Sequence, residues 1–368
     1  MKFSITRESF LKPLQTIAGV VERRQTLPVL SNILMSVNQN TLSMTATDLE
    51  VEMVAKVSVD QSESGDVTVP ARKIVDICKA LPEGASIDLT YDAEKQRVSV
   101  KSGKSRFNLA TLPVTDFPSV DEFSSQFTLQ LPQSKLKRLI EKTSFAMAQQ
   151  DVRYYLNGLL LEISNGKVRS VATDGHRLAL CTYESEVTPA DTLQLIVPRK
   201  GVSELVKLLD DSDELVEIHV GTNHIKVSLA DFNFTSKLID GRFPDYERVI
   251  PKNSDKHVVS DREIFRQALV RTSILSNEKY RGIRLRLSNG ILQAQANNPE
   301  MEEAEEEIEV SYQGNDLEIG FNVSYLLDAL NVVTTSNISM NLGDSNSSCV
   351  INPDNDDSCT YVIMPMRL

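Results

Sequence analysis

The sequence contains no tryptophan, and aromatic residues make up only 6% of its 368 residues. Proteins that hold single-stranded nucleic acid stack bases on aromatic side chains, so this scarcity argues against that mode of binding. No apolar run approaches the roughly 18 residues that a membrane span requires. The N-terminus also lacks the apolar core of a signal peptide. We therefore expect a cytoplasmic protein with no membrane partner.

Cysteines are scarce: four thiols, at positions 78, 181, 349 and 359, are spread over the chain without a CxxC pair. Such spacing does not form a disulfide framework or a zinc site. Cys349 and Cys359 flank the turn-rich stretch 353–357 and could face each other across a hairpin. Because cytosolic thiols stay reduced, we do not expect a functional disulfide there.

Catalytic and nucleotide-binding motifs are also missing, since the sequence has no HExxH, GxSxG or GxxxxGK[ST] pattern. The most enzyme-like stretch is 173–178, where Asp174 and His176 could form an acid/base pair. It occupies the same place after a hairpin as residues 47–50, which favours a binding turn. The run of glutamates from Glu300 to Glu309 is typical of a solvated acidic strand and loop rather than a metal site. We expect no catalytic residue, no metal and no cofactor.

The sequence contains three internal repeats. Apolar residues alternate around a short turn at 34–44, 160–168 and 285–292. Two of these turns are Asn-Gly, a strong hairpin signal because both turn residues need positive φ. The landmark that follows each hairpin returns after 126 and then 124 residues, at Thr47, Thr173 and Asn297. A period of this length indicates repeated domains rather than a short solenoid repeat.

Each repeat shows two amphipathic helices and about eight strands, an α+β plan with helices packed on one face of antiparallel sheets. Apolar residues at helical spacing mark the first helix of each repeat, for example Phe10, Leu14 and Ile17. Ser260 and Glu263 form a capping box at the start of the third such helix. Polar, proline-containing links predict domains at residues 1–124, 125–254 and 255–368.

Charge is sorted along the chain. The six predicted helical segments carry a net charge of +10, and the rest of the chain carries −22, which together give the total of −12. The segments are residues 7–24, 70–80, 132–148, 198–209, 261–281 and 322–333. If the helices share one side of the sheets, that side attracts phosphate without reading base sequence, and the acidic exterior repels nucleic acid elsewhere. We therefore expect weak, salt-sensitive contact with a duplex backbone.

The chain resembles the bacterial DNA polymerase III beta subunits, the sliding clamps, along its full length. The matching stretches are residues 26–30, 47–50, 69–73, 145–158, 173–178, 240–246 and 364–368. The resemblance implies three repeated domains of the DNA-clamp fold per chain. It also implies a head-to-tail homodimer that closes into a ring, with the helices lining the hole.

The resemblance further implies a groove that binds short linear motifs of partner proteins. These partners are the DNA polymerase III core, the clamp loader, other polymerases, and mismatch-repair and ligase proteins. The implied groove residues are Leu156, Thr173, Gly175, His176, Arg177, Leu178, Pro244, Arg248, Val249, Asn322, Tyr325, Val362, Met364, Pro365, Met366, Arg367 and Leu368. Flexible, polarizable methionines suit a groove that accepts several peptides.

Two more sets of residues follow from the resemblance. Contact with double-stranded DNA is implied for Arg24, Arg72, Lys73, Gln150, Tyr154, Tyr155, Arg199 and Lys200. The dimer interface is implied to join Phe107 and Leu109 of one chain to Ile274 and Leu275 of the other. Lys73 and Lys104 would assist on the first side, and the Glu300–Glu309 run on the second.

We therefore expect a non-enzymatic processivity factor that holds duplex DNA by encircling it. Two alternatives stay open at this point. One is an enzyme that uses the Asp174 and His176 turn. The other is a non-catalytic repeat scaffold that binds only proteins and does not encircle DNA.

Overall fold

A computed structural model describes residues 1–22, 27–118 and 123–367. Six α-helices occur in these residues. They are α1 (Arg7–Ile17), α2 (Ala71–Ala80), α3 (Gln133–Glu141), α4 (Arg199–Leu208), α5 (Arg262–Thr272) and α6 (Val323–Val332). Two helices thus fall in each sequence repeat, as predicted.

Strands make up most of the remaining regular structure in the described part of the chain. The first repeat holds β1 (Lys2–Thr6), β2 (Asn32–Asn38), β3 (Thr41–Thr47), β4 (Val51–Ser58), β5 (Asp60–Glu63), β6 (Gly65–Pro70), β7 (Ser86–Asp92), β8 (Arg97–Ser102) and β9 (Ser105–Ala110). The second holds β10 (Phe127–Pro132), β11 (Gly158–Ser164), β12 (Lys167–Thr173), β13 (Arg177–Glu184), β14 (Leu193–Pro198), β15 (Leu215–Val220), β16 (His224–Ser228) and β17 (Phe232–Lys237). The third holds β18 (Lys256–Asp261), β19 (Gly282–Ser288), β20 (Ile291–Asn297), β21 (Glu303–Glu309), β22 (Leu317–Asn322), β23 (Asn337–Leu342), β24 (Cys349–Pro353) and β25 (Cys359–Ile363).

Contacts divide the chain into two compact units that do not coincide with the three repeats. Unit 1 comprises Met1–Leu136 and Lys200–Leu238, and unit 2 comprises Lys137–Arg199 and Ile239–Leu368. The middle repeat contributes strands to both units, because its strands join sheets begun by the first and third repeats.

Each unit contains two antiparallel sheets. Unit 1 has a five-stranded sheet in the order β5-β1-β7-β8-β9 and an eight-stranded sheet in the order β10-β15-β16-β17-β4-β3-β2-β6. Unit 2 has an eight-stranded sheet in the order β14-β11-β12-β13-β25-β24-β23-β18 and a four-stranded sheet in the order β21-β20-β19-β22. The predicted α+β class with antiparallel sheets is confirmed.

The three predicted hairpins are β2–β3, β11–β12 and β19–β20. At the second turn Asn165 and Gly166 both have positive φ, 49° and 71°. At the third turn only Gly290, with φ 78°, has a positive value. The expectation that both turn residues need positive φ is therefore wrong for Asn289, because there are also turns that need positive φ only at the second central residue.

The helices are shorter than the predicted segments. The helix in residues 132–148 ends at Glu141 and that in 261–281 ends at Thr272, each followed by a short 3-10 turn. The first helix ends at Ile17, well before residue 24. These ends do not remove the charge sorting: the six helices carry fourteen basic and six acidic residues, a net +8 within a chain of net −12.

The predicted capping box is wrong in its residues. Asp261 caps α5, and its carboxylate accepts the N–H of Ile264 at 2.8 Å. Strand β18 continues through Asp261, so Ser260 lies in the strand, where its hydroxyl donates to the Asp261 carbonyl. Glu263 bonds Arg266 along the helix instead.

The expectation that Cys349 faces Cys359 is also wrong. The register of β24 and β25 places Cys349 opposite Ile363. Cys359 instead lies opposite Cys181 on β13. All four cysteines are free and buried.

The helices of the described residues include none that combines the length and apolarity needed to cross a membrane.

Candidate functional site

The turn between β12 and β13 is held by its own side chains. Thr173 donates its hydroxyl to the Arg177 carbonyl at 2.6 Å and accepts the N–H of Gly175 at 3.1 Å. The Asp174 carboxylate accepts the N–H groups of His176 and Arg177 at 2.9 and 3.1 Å. Gly175 has φ +88°, a conformation that side chains rarely adopt. The turn is therefore rigid. The hydrogen bonds of the Asp174 carboxylate are used to hold the backbone of the turn.

Arg177 connects this turn to helix α6. Its Nε bonds Asp174 at 3.1 Å and its guanidinium also pairs with Asp328. The same guanidinium lies 4.6 Å from the centre of the Tyr325 ring, and His176 stacks on that ring with centroids 6.3 Å apart. Arg177 is mostly buried, and its planar guanidinium lies over the rings of both Tyr325 and Phe145. We call this fixed group the Arg177 platform.

The C-terminal tail runs across the end of β13 and on to β22. The N–H of Met364 donates to the His176 carbonyl at 2.9 Å, and the N–H of Met366 donates to the Gly320 carbonyl at 2.8 Å. Met364 is 37% exposed. The tail thus presents methionine side chains beside the turn. A cavity of about 920 Å³ opens next to it, lined in part by Tyr280, Met366 and Arg367.

A buried polar network holds the loop that follows β17. Glu162 is 6% exposed, and its carboxylate accepts from Tyr246 at 2.8 Å, Arg169 at 3.0 Å and Gln194 at 2.9 Å. Burial and the Glu162 carboxylate raise the pKa of the Tyr246 hydroxyl, so it stays a donor. Phe243 and Tyr246 also pack into the apolar cluster that contains Leu178 and Val362. Pro244 and Arg248, on the same loop, are exposed.

The structure thus brings the predicted groove residues into one unit, with different degrees of exposure. Leu156, Leu178 and Val362 are at most 3% exposed, so they would form the floor of the predicted groove. Pro244, His176, Arg248 and Met364 are exposed, so they would form its walls. Asn322 caps α6 by accepting the N–H of Ser324 at 2.9 Å. Leu368 lies outside the described residues.

Sequence reasoning missed several residues that build this groove. Phe145 lies 5.3 Å from the Arg177 guanidinium and accepts from it through its carbonyl at 2.9 Å. Three more residues hold parts of the groove in place: Asp328 pairs with Arg177, Gly320 binds the tail, and Glu162 binds Tyr246. In the sequence, the signal for Asp328 is that it is the single charged residue of α6. The long sequence separations hide the other contacts.

The residues predicted to contact DNA differ in their exposure and in their partners. Arg72 and Lys73 are exposed in the first turn of α2, and neither has a carboxylate partner among the described residues. Gln150 and Tyr154 are exposed, whereas Tyr155 is half-buried against the apolar cluster under the groove. Arg24 lies outside the described residues.

Lys200, a member of the predicted DNA set, is already paired with two carboxylates of the protein. Its ammonium lies 2.6 Å from the Glu22 carboxylate and also pairs with the buried Asp48. These two carboxylates raise its pKa against the effect of burial. Arg199 is half-buried and donates to the Met147 carbonyl at 3.1 Å. The positive charge of Lys200 is therefore balanced inside unit 1.

The residues predicted to form a dimer interface lie near sheet edges. Strand β9, with Phe107 and Leu109, ends the five-stranded sheet, and the acidic strand β21 ends the four-stranded sheet. Ile274 is 74% exposed, as expected for an apolar residue with no place in its own core. Leu109 is only 7% exposed and contributes chiefly to the core of its own sheet.

Family models match nearly the whole chain. The N-terminal, central and C-terminal domains of the DNA polymerase III beta subunit match residues 1–121, 130–245 and 247–367. A Pseudomonas putida protein described as a beta sliding clamp is 59% identical over 369 residues, with 100% of both chains covered. The Escherichia coli (strain K12) beta sliding clamp is 53% identical over 370 residues, again with full coverage of both.

Solved structures agree with these relatives. The DNA polymerase III subunit beta from Pseudomonas aeruginosa superposes with a TM-score of 0.97 at 58% identity, covering 100% of each chain. A second structure of a Pseudomonas aeruginosa sliding clamp, bound to griselimycin, has the same score, identity and coverage. A chain with three such α+β domains and such relatives belongs to the DNA polymerase III beta subunit family. It is accordingly built of three clamp domains and functions as a sliding clamp in DNA replication.

Proposed function

We propose that this chain works without any chemistry of its own, as a homodimeric ring around double-stranded DNA in the cytoplasm. The strongest support is the groove, whose rigid turn, tail and Arg177 platform form a docking site rather than an active site. Asp174, the most enzyme-like carboxylate, is occupied by two backbone N–H groups and by Arg177. We retain the predicted domain boundaries, 1–124, 125–254 and 255–368, as part of this proposal.

The groove binds short linear motifs of the polymerase III core, the clamp loader, other polymerases, and mismatch-repair and ligase proteins. An exposed methionine, a stacked His176–Tyr325 pair and a buried apolar floor suit peptides with one or two apolar anchors. Two grooves per dimer add avidity to a modest single-site affinity.

Deleting residues 364–368 tests the groove. The shortened chain should lose binding of a fluorescent peptide with an apolar anchor, because the Met364 and Met366 contacts go with the tail. It should keep the dimer, measured by sedimentation. Unchanged peptide affinity would remove the groove assignment.

The dimer joins β9 of one copy to β21 of the other. Each is an edge strand with one side free to pair, and unpaired edges favour strand addition. The charges are complementary, since Lys104 and Arg106 lie at β9 while β21 contains five glutamates. Replacing the exposed Ile274 with Asp should give monomers in sedimentation, whereas Ile264→Asp, at another exposed isoleucine of the same helix region, should not. Dimers that persist in Ile274→Asp would contradict this interface.

Encirclement is tested by topology. With a clamp loader and ATP, the protein should remain on circular DNA and leave the same DNA after it is cut to a linear form. Sequence-independent contacts permit sliding because every register costs nearly the same free energy. Equal retention on both forms would instead favour an adhesive binder, and no retention on either would favour a scaffold that binds only proteins.

A further inference from the structure

Two buried thiols face each other between β13 and β25. Cys181 lies directly opposite Cys359, and their sulfur atoms are 2.7 Å apart. The adjacent N–H of Thr182 donates to the Ser358 carbonyl at 2.7 Å, which makes the cysteines a non-hydrogen-bonded pair. Such pairs bring Cα atoms to about 4.5 Å, within the range of roughly 4.4–6.8 Å that a disulfide spans. The two sulfurs can therefore be bridged without moving the strands.

The surroundings make Cys359 more acidic than an ordinary buried thiol. The hydrogen bond from Cys181 lowers the pKa of Cys359 despite its burial, and the Ser358 hydroxyl, which donates to the Cys359 sulfur at 3.7 Å, and Arg138 contribute in the same direction. By contrast, burial raises the pKa of Cys349 to about 12. One thiol of the facing pair is thus suited to attack an electrophile, while its neighbour is placed to resolve the product.

We propose that Cys181 and Cys359 form a peroxide-responsive dithiol that closes reversibly to a disulfide. The Cys359 thiolate attacks one oxygen of a hydroperoxide, the O–O bond breaks, and the departing oxygen takes a proton and leaves as water or an alcohol. Cys359 is then a sulfenic acid. The Cys181 sulfur attacks it, the S–O bond breaks, and hydroxide leaves with the thiol proton as water. Two electrons pass from the two sulfurs to the peroxide, and cellular thiols reverse the step.

The packing selects for a small oxidant. Cys181 and Cys359 are each 1% exposed. Arg138 lies over the turn before β25, bonding Asp356 at 2.9 Å and the Ser358 hydroxyl at 2.8 Å. When this part of the fold opens locally, a hydroperoxide can reach the thiols far more readily than a bulky disulfide oxidant can.

The bond would lie in the ladder that carries the groove. Arg177 pairs with Ile363 at the other end of β13 and β25, four residues from the cysteines on each strand. Oxidation therefore fastens together the strand that begins at the groove turn and the strand that ends at the tail. The inference does not rest on DNA or peptide binding.

Graded hydrogen peroxide on the folded wild-type protein tests the proposal. After quenching and denaturation, free thiols are counted and the non-reduced peptides from cleavage before aspartate are mapped, because no Lys or Arg separates Cys349 from Cys359. Two of the four thiols should disappear together, in a single Cys181–Cys359 linked peptide that dithiothreitol restores. Four intact thiols, or oxidation of Cys78 and Cys349 at the same peroxide concentration, would overturn the proposal without bearing on clamp function.

Two variants separate the steps. Cys181→Ser removes the resolving thiol but keeps a hydroxyl that can donate to Cys359. After peroxide treatment and quenching, dimedone added in denaturant should label a sulfenic acid at Cys359, and no linked peptide should form. Cys349→Ala, a change at another buried cysteine of the same sheet, should keep the linked peptide. Absence of labelling in Cys181→Ser would contradict Cys359 as the attacking group. The wild-type peptide map needs no variant, so a misfolded variant does not block the test.

Discussion

At the scale of single residues, backbone conformation and burial decide what each side chain does. Gly175 and Gly290 both have positive φ, but only Gly175 has a close neighbour, since an added Cβ would lie 3.0 Å from the Arg153 guanidinium. Lys200 and Lys73 have the same charge, yet among the described residues only Lys200 has carboxylate partners. Such differences are not visible in residue type.

Gly175→Ala should weaken both the fold and the groove. A non-glycine residue at this φ costs about 1–2 kcal/mol, and contact with Arg153 adds to it. We expect a lower urea midpoint and a reduced affinity for the groove peptide. The control is Gly290→Ala, which has φ +78° and nothing within 4 Å of the added Cβ. It should lower stability but leave peptide affinity unchanged; equal losses of affinity would contradict the prediction.

Glu52→Gln should change how stability depends on pH. Burial raises the pKa of Glu52 from 4.5 to about 7, against the attraction of Lys226. Between these two values the folded state binds more protons than the unfolded state, so the free energy of unfolding falls as pH rises. The variant should be more stable than wild type by roughly 3 kcal/mol at pH 8 and similar at pH 4.

Urea unfolding at both pH values measures this effect. The control is Glu50→Gln, an exposed neighbour on the same segment, which should leave the pH profile unchanged. A wild-type profile that is flat between pH 4 and 8 would rule out the assignment.

At the scale of elements, the groove is built from pieces joined by hydrogen bonds rather than by chain continuity. The turn before β13, the tail after β25 and helix α6 meet through Arg177 and two backbone bonds. The loop after β17 is held separately, by the Glu162 network. The groove should therefore be sensitive to changes that touch no peptide.

Tyr246→Phe tests this remote support. The change removes the hydroxyl that donates to the buried Glu162 carboxylate at 2.8 Å, and should cost about 1 kcal/mol. The loop that carries Pro244 and Arg248 should loosen, so peptide affinity should fall several-fold in a fluorescence titration. Tyr183→Phe, on β13, is the control and should bind like wild type. A Tyr246→Phe variant with lower stability and full affinity would show that the network does not position the groove.

At the scale of the whole molecule, charge is divided between helices and the rest of the chain. The helices are net positive, although the protein as a whole is acidic. Ion pairs inside the units reduce this contrast at some positions, such as Lys207 with Glu204 and Arg266 with Glu263. Arg72 and Lys73 of α2 have no carboxylate partner in the part of the chain that the structure describes, so we expect them to be free to contact a phosphate backbone.

Replacing Arg72 and Lys73 with Ala should weaken DNA binding and flatten its salt dependence. Each phosphate contact contributes about 0.9 to the slope of log K against log salt, so the slope should fall by roughly 2 per chain. Filter binding or anisotropy over a salt series measures it. Lys252→Ala, at an exposed loop lysine, should leave the slope unchanged. An unaltered slope in the double variant would exclude these residues as phosphate contacts.

The sequence by itself determined what depends on local pattern. Alternation and helical spacing predicted the hairpins, the two helices per repeat and the α+β class, because neighbours in the chain largely decide secondary structure. Motif resemblance predicted that residues 173–178 and the tail belong to one groove. The sign of the charge on five of six helices also needed no coordinates.

Only the tertiary structure decided which distant residues meet. It merged three repeats into two units, placed Cys359 against Cys181 rather than Cys349, and supplied Phe145, Asp328 and Glu162 as supports. It also showed which basic side chains are paired with carboxylates, such as Lys200, within the described residues. Strand register across a sheet and ion pairing between elements depend on side-chain packing over long sequence separations, which periodicity along one chain does not encode.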